Sequence, residues 1–204
     1  IHEGSVTVKH VNISALTAVV ALTISFQQPA NSAPGMEAFA PAAAVASAKV
    51  NKNDIANYGV VTPTISRGAQ PSLKGFKWLK DVGVKTIVNL RDGDDDIENE
   101  RQIVESLGLK YVSIQMSGFK KMTNAHVDKF LAVAKNSENE PVFVHCRQGR
   151  DRTGAILAAY RVKEQSWSVD KAYDEMLEFG FHTIFIGLSK SFFNLVADNG
   201  SSKG

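Results

Sequence analysis

One short stretch of the chain, VFVHCRQGRDRTG over residues 142–154, combines the residue types that covalent chemistry on an anion requires. It contains Cys146, the one cysteine of the 204-residue chain, and three arginines follow within six positions, Arg147, Arg150 and Arg152. An apolar run precedes the cysteine and a helix-like run follows it. A cysteine at a helix N-terminus and beside arginines is largely in the nucleophilic thiolate form near neutral pH. We therefore expect a nucleophile held next to a bound anion.

The residues around the thiol also suit a phosphate site. A buried strand is predicted to end at His145, a loop to cover residues 146–152, and a helix to begin at Thr153. Such a loop directs backbone N–H groups to one point, and ligands of open α/β sheets bind beyond the carboxyl ends of strands. Arg152 can present its planar guanidinium to two oxygens of a tetrahedral anion, and Thr153 can donate a hydrogen bond to the cysteine sulfur. The predicted phosphate ligands of this stretch are Arg147, Gln148, Gly149, Arg150 and Thr153.

Short β-rich runs alternate with helical patterns from residue 58 onward, and this alternation predicts an α/β fold with a mostly parallel central sheet flanked by helices. The predicted elements are a strand or hairpin over VVTPTISRG, a helix that Ser72 caps and Gly83 ends, the buried strand VKTIVNL, a helix from residues 94–96 to Leu107, the strand KYVSIQM, a helix capped by Thr123 or Asn124, the strand PVFVH, the helix TGAILAAYRVKEQ, a helix capped by Ser168, and an amphipathic helix over residues 188–196.

The first 48 residues form a separate part of the sequence. Lys9 and His10 precede the apolar run VNISALTAVVALTISF, and small residues suited to cleavage follow near Ala33 and Ala48. This pattern is typical of a secretory signal peptide followed by an Ala- and Pro-rich linker, and residues 1–8 are interpreted as a possible non-native start. A buried apolar helix or a retained anchor is the alternative. We expect a domain over residues 49–204 that is periplasmic or secreted, with no stable membrane span in its mature form.

Composition excludes several classes of function. The chain is 44% hydrophobic with a formal net charge of +2, which fits a globular domain and not a nucleic-acid-binding protein. A single cysteine excludes an internal disulfide and a zinc site built on several thiolates. We expect no cofactor and no metal, and a phosphorylated small molecule or a phosphoprotein as the partner.

The stretch HCRQGRDRTG matches HCxxGxxR(T/S), the signature of the cysteine-dependent protein tyrosine phosphatase superfamily. The likeness extends from ISRGAQP through LKDVGVKTIVNLRD to SVDKAYDEML. This layout resembles the compact dual-specificity phosphatases, especially the phytase-like bacterial, fungal and plant members that act on inositol phosphates. The resemblance implies a dual-specificity phosphatase-like fold, Cys146 as the nucleophile that forms a phosphocysteine, and Arg152 as the phosphate clamp. It also implies that His145 orients the loop and favours the thiolate; a core histidine that only supports the loop is the alternative.

Two arginines of the loop exceed what a single phosphate needs. Arg147 and Arg150 add positive charge beside Arg152, and a substrate with several phosphates would profit from both. Lys120 and Lys121, in SGFKKMT, are predicted to extend this basic rim, although a solvated turn explains them as well. The sequence favours inositol polyphosphates or phosphoinositides as substrates, with phosphotyrosine protein as the second candidate.

The general acid is not where the resembled family usually has it. That family places an aspartate on the loop after the third strand, but QMSGFKKMTN contains no Asp or Glu. Asp151 is the preferred candidate, because a loop aspartate is the proposed acid in myotubularin-type lipid phosphatases and because a bound phosphate repels its charged form. A salt bridge that orders the loop is its alternative role. Asp128 and His126 are expected to face solvent, whereas the acidic cluster over residues 92–96 either approaches the site or starts a helix.

Two rival functions share parts of this pattern. A rhodanese-like sulfurtransferase also carries a loop cysteine before a helix, but it does not need Arg152 to hold phosphate. A pseudophosphatase that only binds phosphorylated ligands would usually have lost the nucleophile, Cys146. Arg67 and Arg91 lie near predicted strand ends, where each could brace the loop, and ordinary surface positions are expected for both.

Overall fold

The computed structural model describes residues 50–197, apart from the side chains of residues 94–96, so the predicted signal peptide and linker over residues 1–48 lie outside the described residues. The described part of the chain folds into five strands and six helices. In chain order these are β1 Gly59–Thr62, β2 Ile65–Gly68, α1 Leu73–Asp81, β3 Thr86–Asn89, α2 Asp94–Ser106, β4 Lys110–Ser113, α3 Asn124–Ala134, β5 Val142–His145, α4 Asp151–Gln165, α5 Val169–Glu178 and α6 Ile186–Ala197.

The strands form one sheet in the order β1-β2-β5-β3-β4. Only β1 pairs antiparallel, with β2, and the remaining pairs are parallel. The predicted α/β fold with a mostly parallel sheet is therefore confirmed. Strand β5 lies at the centre, and its last residue, His145, is in register with Gly68 of β2 and Asn89 of β3. The segments that follow these three strands consequently meet at one edge of the sheet, directly beyond β5.

Helices cover both faces of the sheet. Phe76 of α1 and Val104 of α2 pack with Phe143 of β5 in the core on one side. Alternating side chains of β5 point to the other side, where Val144 shares a core with residues of α3 to α6 such as Phe130 and Phe192. All residues of β3 and β5 are buried, as the continuous apolar runs predicted. Burial on both faces fixes the central strand, and with it the loop that β5 leads into.

Local signals set the helix boundaries. The hydroxyl of Ser72 accepts a hydrogen bond from the backbone N–H of Gly75 at 3.1 Å, and Ser168 accepts one from Lys171 at 3.3 Å, so both predicted N-caps are confirmed. Helix α4 begins at Asp151, two residues before the predicted Thr153, because the Gly154 N–H donates to the Arg150 carbonyl at 2.7 Å and closes the first turn there. Asp151 and Arg152 therefore belong to the helix and not to the loop. None of the helices in this described part is long and apolar enough to cross a membrane.

Candidate active site

A cleft of about 340 Å³ opens at the edge of the sheet beyond β5. Cys146, with only 2% of its surface exposed, lies in this cleft. The loop and α4 contribute Cys146, Arg147, Gln148, Asp151 and Arg152 to its lining, and other segments contribute Asp92, Gly118, Phe119 and Phe185. The structure thus brings the predicted nucleophile, clamp and acid into one cavity.

The loop between β5 and α4 is held from outside by segments that precede α1. The Gly149 carbonyl accepts hydrogen bonds from Arg67 Nη2 at 2.8 Å and from Asn57 Nδ2 at 3.0 Å. The backbone N–H of Gln70 donates to the Arg147 carbonyl at 3.3 Å. Gly149 has a φ of +69°, and a Cβ there would lie 2.4 Å from the Gly68 carbonyl carbon, so the loop needs glycine both for its conformation and for its contact with β2.

Arg67 is not the surface residue that the sequence suggested. It is 1% exposed, its guanidinium lies 3.8 Å from the centroid of the Phe179 ring, and burial lowers its pKa to about 10. The prediction failed because β2 is an inner strand, flanked by β1 and β5, so its residues face the core on both sides. Arg67 therefore places a positive charge beneath the loop and braces the Gly149 carbonyl.

Arg152 is anchored by an acidic side chain from the end of another strand. Its Nη1 donates to Asp92 Oδ1 at 2.5 Å and to the Met116 carbonyl at 3.1 Å. Asp92 lies just after β3, before α2 begins at Asp94, and it lines the cleft. The first member of the acidic cluster over residues 92–96 thus approaches the site, as one of the two sequence interpretations allowed.

Asp151 is held by a single residue from the loop between α5 and α6. Its Oδ1 accepts the backbone N–H of His182 at 2.8 Å and lies 3.0 Å from Nδ1 of the same residue. The Nε2 of His182 lies 3.5 Å from Nη1 of Arg150. The carboxylate therefore faces the cleft while its back is fixed by His182.

His145 takes part in a buried polar network behind the nucleophile. Its Nε2 lies 2.9 Å from Glu100 Oε1 of α2, and its Nδ1 lies 3.2 Å from the Cys146 carbonyl oxygen. Glu100 also accepts a hydrogen bond from Gln70 at 2.6 Å, and Arg91 donates to Gln70 at 2.7 Å. Arg91 is thus mostly buried and contributes to this network, contrary to the expectation of an ordinary surface arginine. The network links the end of β5 to α2 and to the segment after β2.

Thr153 does not make the predicted hydrogen bond to the cysteine sulfur. Its hydroxyl is buried and has no hydrogen-bond partner among the described residues. The earlier start of α4 explains this, because Thr153 is the third residue of the helix and is completely buried in it. Thr153 is therefore buried in the helix and is not one of the residues that line the cleft.

The basic side chains around the cleft differ in their distance from it. Arg147 lines the cleft, whereas Lys120 and Lys121 are exposed residues next to Phe119, which lines it in their place. Asp128 is exposed on α3, as expected, and His126 lies half-buried at the start of the same helix. No group of three or more His, Cys, Asp or Glu side chains that could hold a metal occurs within residues 50–197, excluding the side chains of 94–96.

A protein-family model matches most of the sequence of this chain. The model, described as DSP-PTPase phosphatase fused to NAD+ kinase, matches residues 34–184, well over half of the chain. The chain belongs to this DSP-PTPase family. The resemblance of HCRQGRDRTG to the signature of the cysteine-dependent protein tyrosine phosphatase superfamily is thereby confirmed.

Individual relatives of this DSP-PTPase chain cover part of its length. The inositol diphosphatase SIW14 of Saccharomyces cerevisiae is 30% identical over 130 residues, which are 61% of this chain and 46% of that protein. The dual specificity protein phosphatase TpbA of Pseudomonas aeruginosa is 31% identical over 122 residues, 59% of this chain and 53% of that protein. The chain therefore spans about half the length of the curated relatives it matches.

Solved structures of the same two proteins share the fold. The SIW14 catalytic domain, in a complex with citrate, has a TM-score of 0.58 at 24% identity and covers 72% of this chain and 94% of that one. The TpbA structure has a TM-score of 0.59 at 24% identity and covers 75% of this chain and 95% of that one. The central sheet and flanking helices of this chain are thus those of dual-specificity phosphatase structures.

Glu100 and His182 are among the residues of the DSP-PTPase site that the sequence did not point to. Glu100 lies inside a polar helix pattern, and His182 in the short segment FHT after a helix stop. Neither position carries a local pattern that distinguishes it from a solvated residue. Each becomes visible only through its partner, because Glu100 meets His145 and His182 meets Asp151 in the folded chain.

Proposed function

We propose that this chain hydrolyses phosphate monoesters through a phosphocysteine formed on Cys146. The observation that carries the proposal is the shared cleft, in which the one thiol of the chain lies with Arg152 and Asp151 at the start of a helix. A helix N-terminus, an arginine and a nucleophile in one pocket suit in-line attack on phosphorus.

Two steps complete the reaction. In the first, the Cys146 thiolate attacks phosphorus, the bond between phosphorus and the ester oxygen breaks, and that oxygen takes a proton from Asp151. In the second, a water molecule attacks the phosphocysteine, its proton passes to the Asp151 carboxylate, and the sulfur leaves as thiolate with release of inorganic phosphate. Arg152 holds the phosphoryl oxygens in both steps. Each residue thus returns to its starting form.

We propose inositol polyphosphates or phosphoinositides as the substrates. Arg147 is exposed in the lining of the cleft, and Arg150 is exposed next to the cleft-lining Asp151, so both can bind phosphates beyond the one that reacts. Relatives named inositol diphosphatases, SIW14 and DSP2 of Oryza sativa, support this choice. Lys120 and Lys121 would add positive charge at the rim.

Phosphotyrosine protein is the second candidate. The rings of Phe119 and Phe185 lie 5.3 Å apart at the cleft and offer an aromatic surface to a phenyl ring. TpbA, named a dual specificity protein phosphatase, supports this reading.

The reaction is proposed to take place outside the cytoplasm, in the periplasm or after secretion. The apolar run before the Ala- and Pro-rich segment supports this location. Fractionation of expressing cells, with N-terminal sequencing of the protein, tests it. A mature chain that begins near Ala33 or Ala48 is expected, and an uncleaved cytoplasmic chain would contradict it.

The decisive experiment compares kcat/KM of the full chain on inositol hexakisphosphate and on a phosphotyrosine peptide, with Cys146→Ser as the blank. Preference for the inositol phosphate, lost in the variant, is the expected result. Preference for the peptide would support the phosphocysteine mechanism but would identify phosphotyrosine protein as the substrate. No turnover above the blank would favour a binding module, and turnover of thiosulfate instead would favour a sulfurtransferase.

A further inference from the structure

One histidine outside the signature motif, His182, contacts the Asp151 carboxylate. The same carboxylate oxygen, Oδ1, accepts the backbone N–H of His182 at 2.8 Å and lies 3.0 Å from the ring Nδ1 of that residue. The ring nitrogen lies 3.2 Å from Oδ2, a longer contact. Oδ1 thus makes both shorter contacts with His182, and rotation of the Asp151 carboxyl group about its Cβ–Cγ bond would break the bond from the His182 backbone.

The neighbours of the imidazole determine which of its nitrogens carries the proton. A carboxylate oxygen accepts hydrogen bonds, so Nδ1, which lies 3.0 Å from Asp151 Oδ1, is the donor of that pair, and Nε2 is left to face Arg150 Nη1 at 3.5 Å. Arg150, His182 and Asp151 therefore form a chain of donors and acceptors with one consistent direction.

The backbone around His182 is itself ordered by the wall of the cleft. The Phe185 N–H donates to the His182 carbonyl at 3.0 Å, and the two rings are 6.0 Å apart in an edge-on arrangement. Phe185 lines the cleft, and Phe181, which directly precedes His182 in the chain, is buried in the core. The turn that carries His182 is consequently fixed at both ends.

We propose that His182 is a positioning residue for the reaction: it holds the Asp151 carboxyl group by Oδ1 and so directs Oδ2 to the ester oxygen that leaves. This inference rests on the proposed function, in which Asp151 gives that oxygen its proton. Proton transfer requires a heavy-atom separation of about 2.6–3.2 Å, so a freely rotating carboxyl group would be productive only part of the time. The effect of His182 should accordingly appear only where the leaving oxygen needs a proton.

Two aryl phosphates separate this role from a general effect on folding. The phenolate of p-nitrophenyl phosphate leaves readily without a proton, whereas that of phenyl phosphate requires one. We expect His182→Ala to lower kcat/KM by roughly tenfold for phenyl phosphate and by less than about threefold for p-nitrophenyl phosphate. Asp151→Asn should show the same selectivity with a larger loss, about 10²–10⁴-fold for phenyl phosphate.

His182→Asn is the matched variant, because its side-chain amide nitrogen occupies the place of Nδ1 and keeps the donor. It should recover most of the phenyl phosphate activity that His182→Ala loses. Equal losses on both substrates, or an Asn variant as impaired as the Ala variant, would overturn the inference while Cys146-dependent hydrolysis remained. If the unaltered full chain shows no Cys146-dependent hydrolysis, the proposed function is overturned, and the inference with it.

Discussion

Asp92 and Arg152 are joined by a hydrogen bond of 2.5 Å between Oδ1 and Nη1 at the cleft, although 60 positions separate them in the chain. The bond fixes one side of the guanidinium, which is also held by the Met116 carbonyl. A phosphate bound by Arg152 would therefore lie near a carboxylate that attracts the clamp and repels the ligand. Asp92 thus has two opposing effects on binding.

Replacement of Asp92 by Asn separates these effects. The Asn side-chain carbonyl still accepts the hydrogen bond from Arg152, but the negative charge is gone. We expect Asp92→Asn to lower KM for phosphorylated substrates by up to about fivefold, since interactions of half-exposed charges amount to about 0.2–1 kcal/mol. Steady-state kinetics on p-nitrophenyl phosphate measures this change.

The companion variant Asp92→Ala removes the anchor as well as the charge, and it should raise KM relative to Asp92→Asn. A loss in kcat instead of a change in KM would identify Asp92 as the general acid. If Asp92→Asn lowers kcat by about 10²-fold or more on phenyl phosphate, whose phenolate needs a proton to leave, with KM unchanged, the proton donor is Asp92 and not Asp151.

Gly149 is predicted to tolerate no side chain, and Gly83 provides the matched control. Both have positive φ angles, +69° and +91°, but a Cβ at Gly83 would meet nothing within 4 Å. We expect Gly83→Ala to reduce the free energy of unfolding by about 1–2 kcal/mol, the cost of the left-handed conformation. Gly149→Ala should cost about 1–3 kcal/mol more, because its Cβ overlaps the Gly68 backbone.

Urea unfolding of both variants, together with kcat/KM, tests this difference. Gly149→Ala should also lose most activity, since the loop must move away from β2, whereas Gly83→Ala should retain it. Equal costs in the two variants would show that the contact between the loop and β2 is not tight.

The part of the site that could be predicted from the sequence is the part that neighbouring residues of one short stretch form by themselves. The apolar run that ends at His145 predicted β5, and the spacing from Cys146 to Arg152 predicted a loop before a helix. The structure places these residues in one cleft. The mostly parallel pairing of the sheet also followed from the sequence, because strands that alternate with helices form parallel pairs.

What the sequence did not reveal is which distant positions contact each other at the site. Arg67 and Gly149 are 82 positions apart, His145 and Glu100 are 45 apart, and Asp151 and His182 are 31 apart. A buried charge or imidazole needs a partner, but the sequence does not say which residue supplies it. The packing of β2 and α2 against the end of β5, and of the loop between α5 and α6 against the start of α4, brings these partners together.

The pairing of Glu100 with His145 leads to a stability prediction. Both side chains are buried, with exposures of 3% and 0%, so loss of one partner leaves the other without its hydrogen bond. We expect Glu100→Ala to lower the free energy of unfolding by about 1–3 kcal/mol. Glu100→Gln keeps an acceptor at the same place and should cost less, as urea unfolding will show. Identical losses in the two variants would mean that packing, and not this hydrogen bond, dominates.

His126 supplies an example of a titrating helix cap. Its Nδ1 accepts a hydrogen bond from the backbone N–H of Thr123 at 3.1 Å, which completes the cap at the start of α3. Burial lowers the pKa of His126 below its ordinary value, with a smaller contribution from Lys129 in the same direction, although a hydrogen bond with the Gln115 backbone opposes both. The folded protein therefore favours the neutral ring, which alone can accept the bond.

The sign of the resulting pH dependence follows from this direction. Because the pKa of His126 is lower in the folded protein than in the unfolded chain, its contribution to stability is present above about pH 6.5 and is lost as the pH falls through the folded-state value. His126→Gln keeps a capping acceptor that does not titrate in this range. We expect the free energy of unfolding to fall more between pH 7.5 and pH 5.5 in the unaltered protein than in the variant, as measured by urea unfolding at both pH values. Parallel pH profiles for the two proteins would show that protonation of His126 does not weaken the cap.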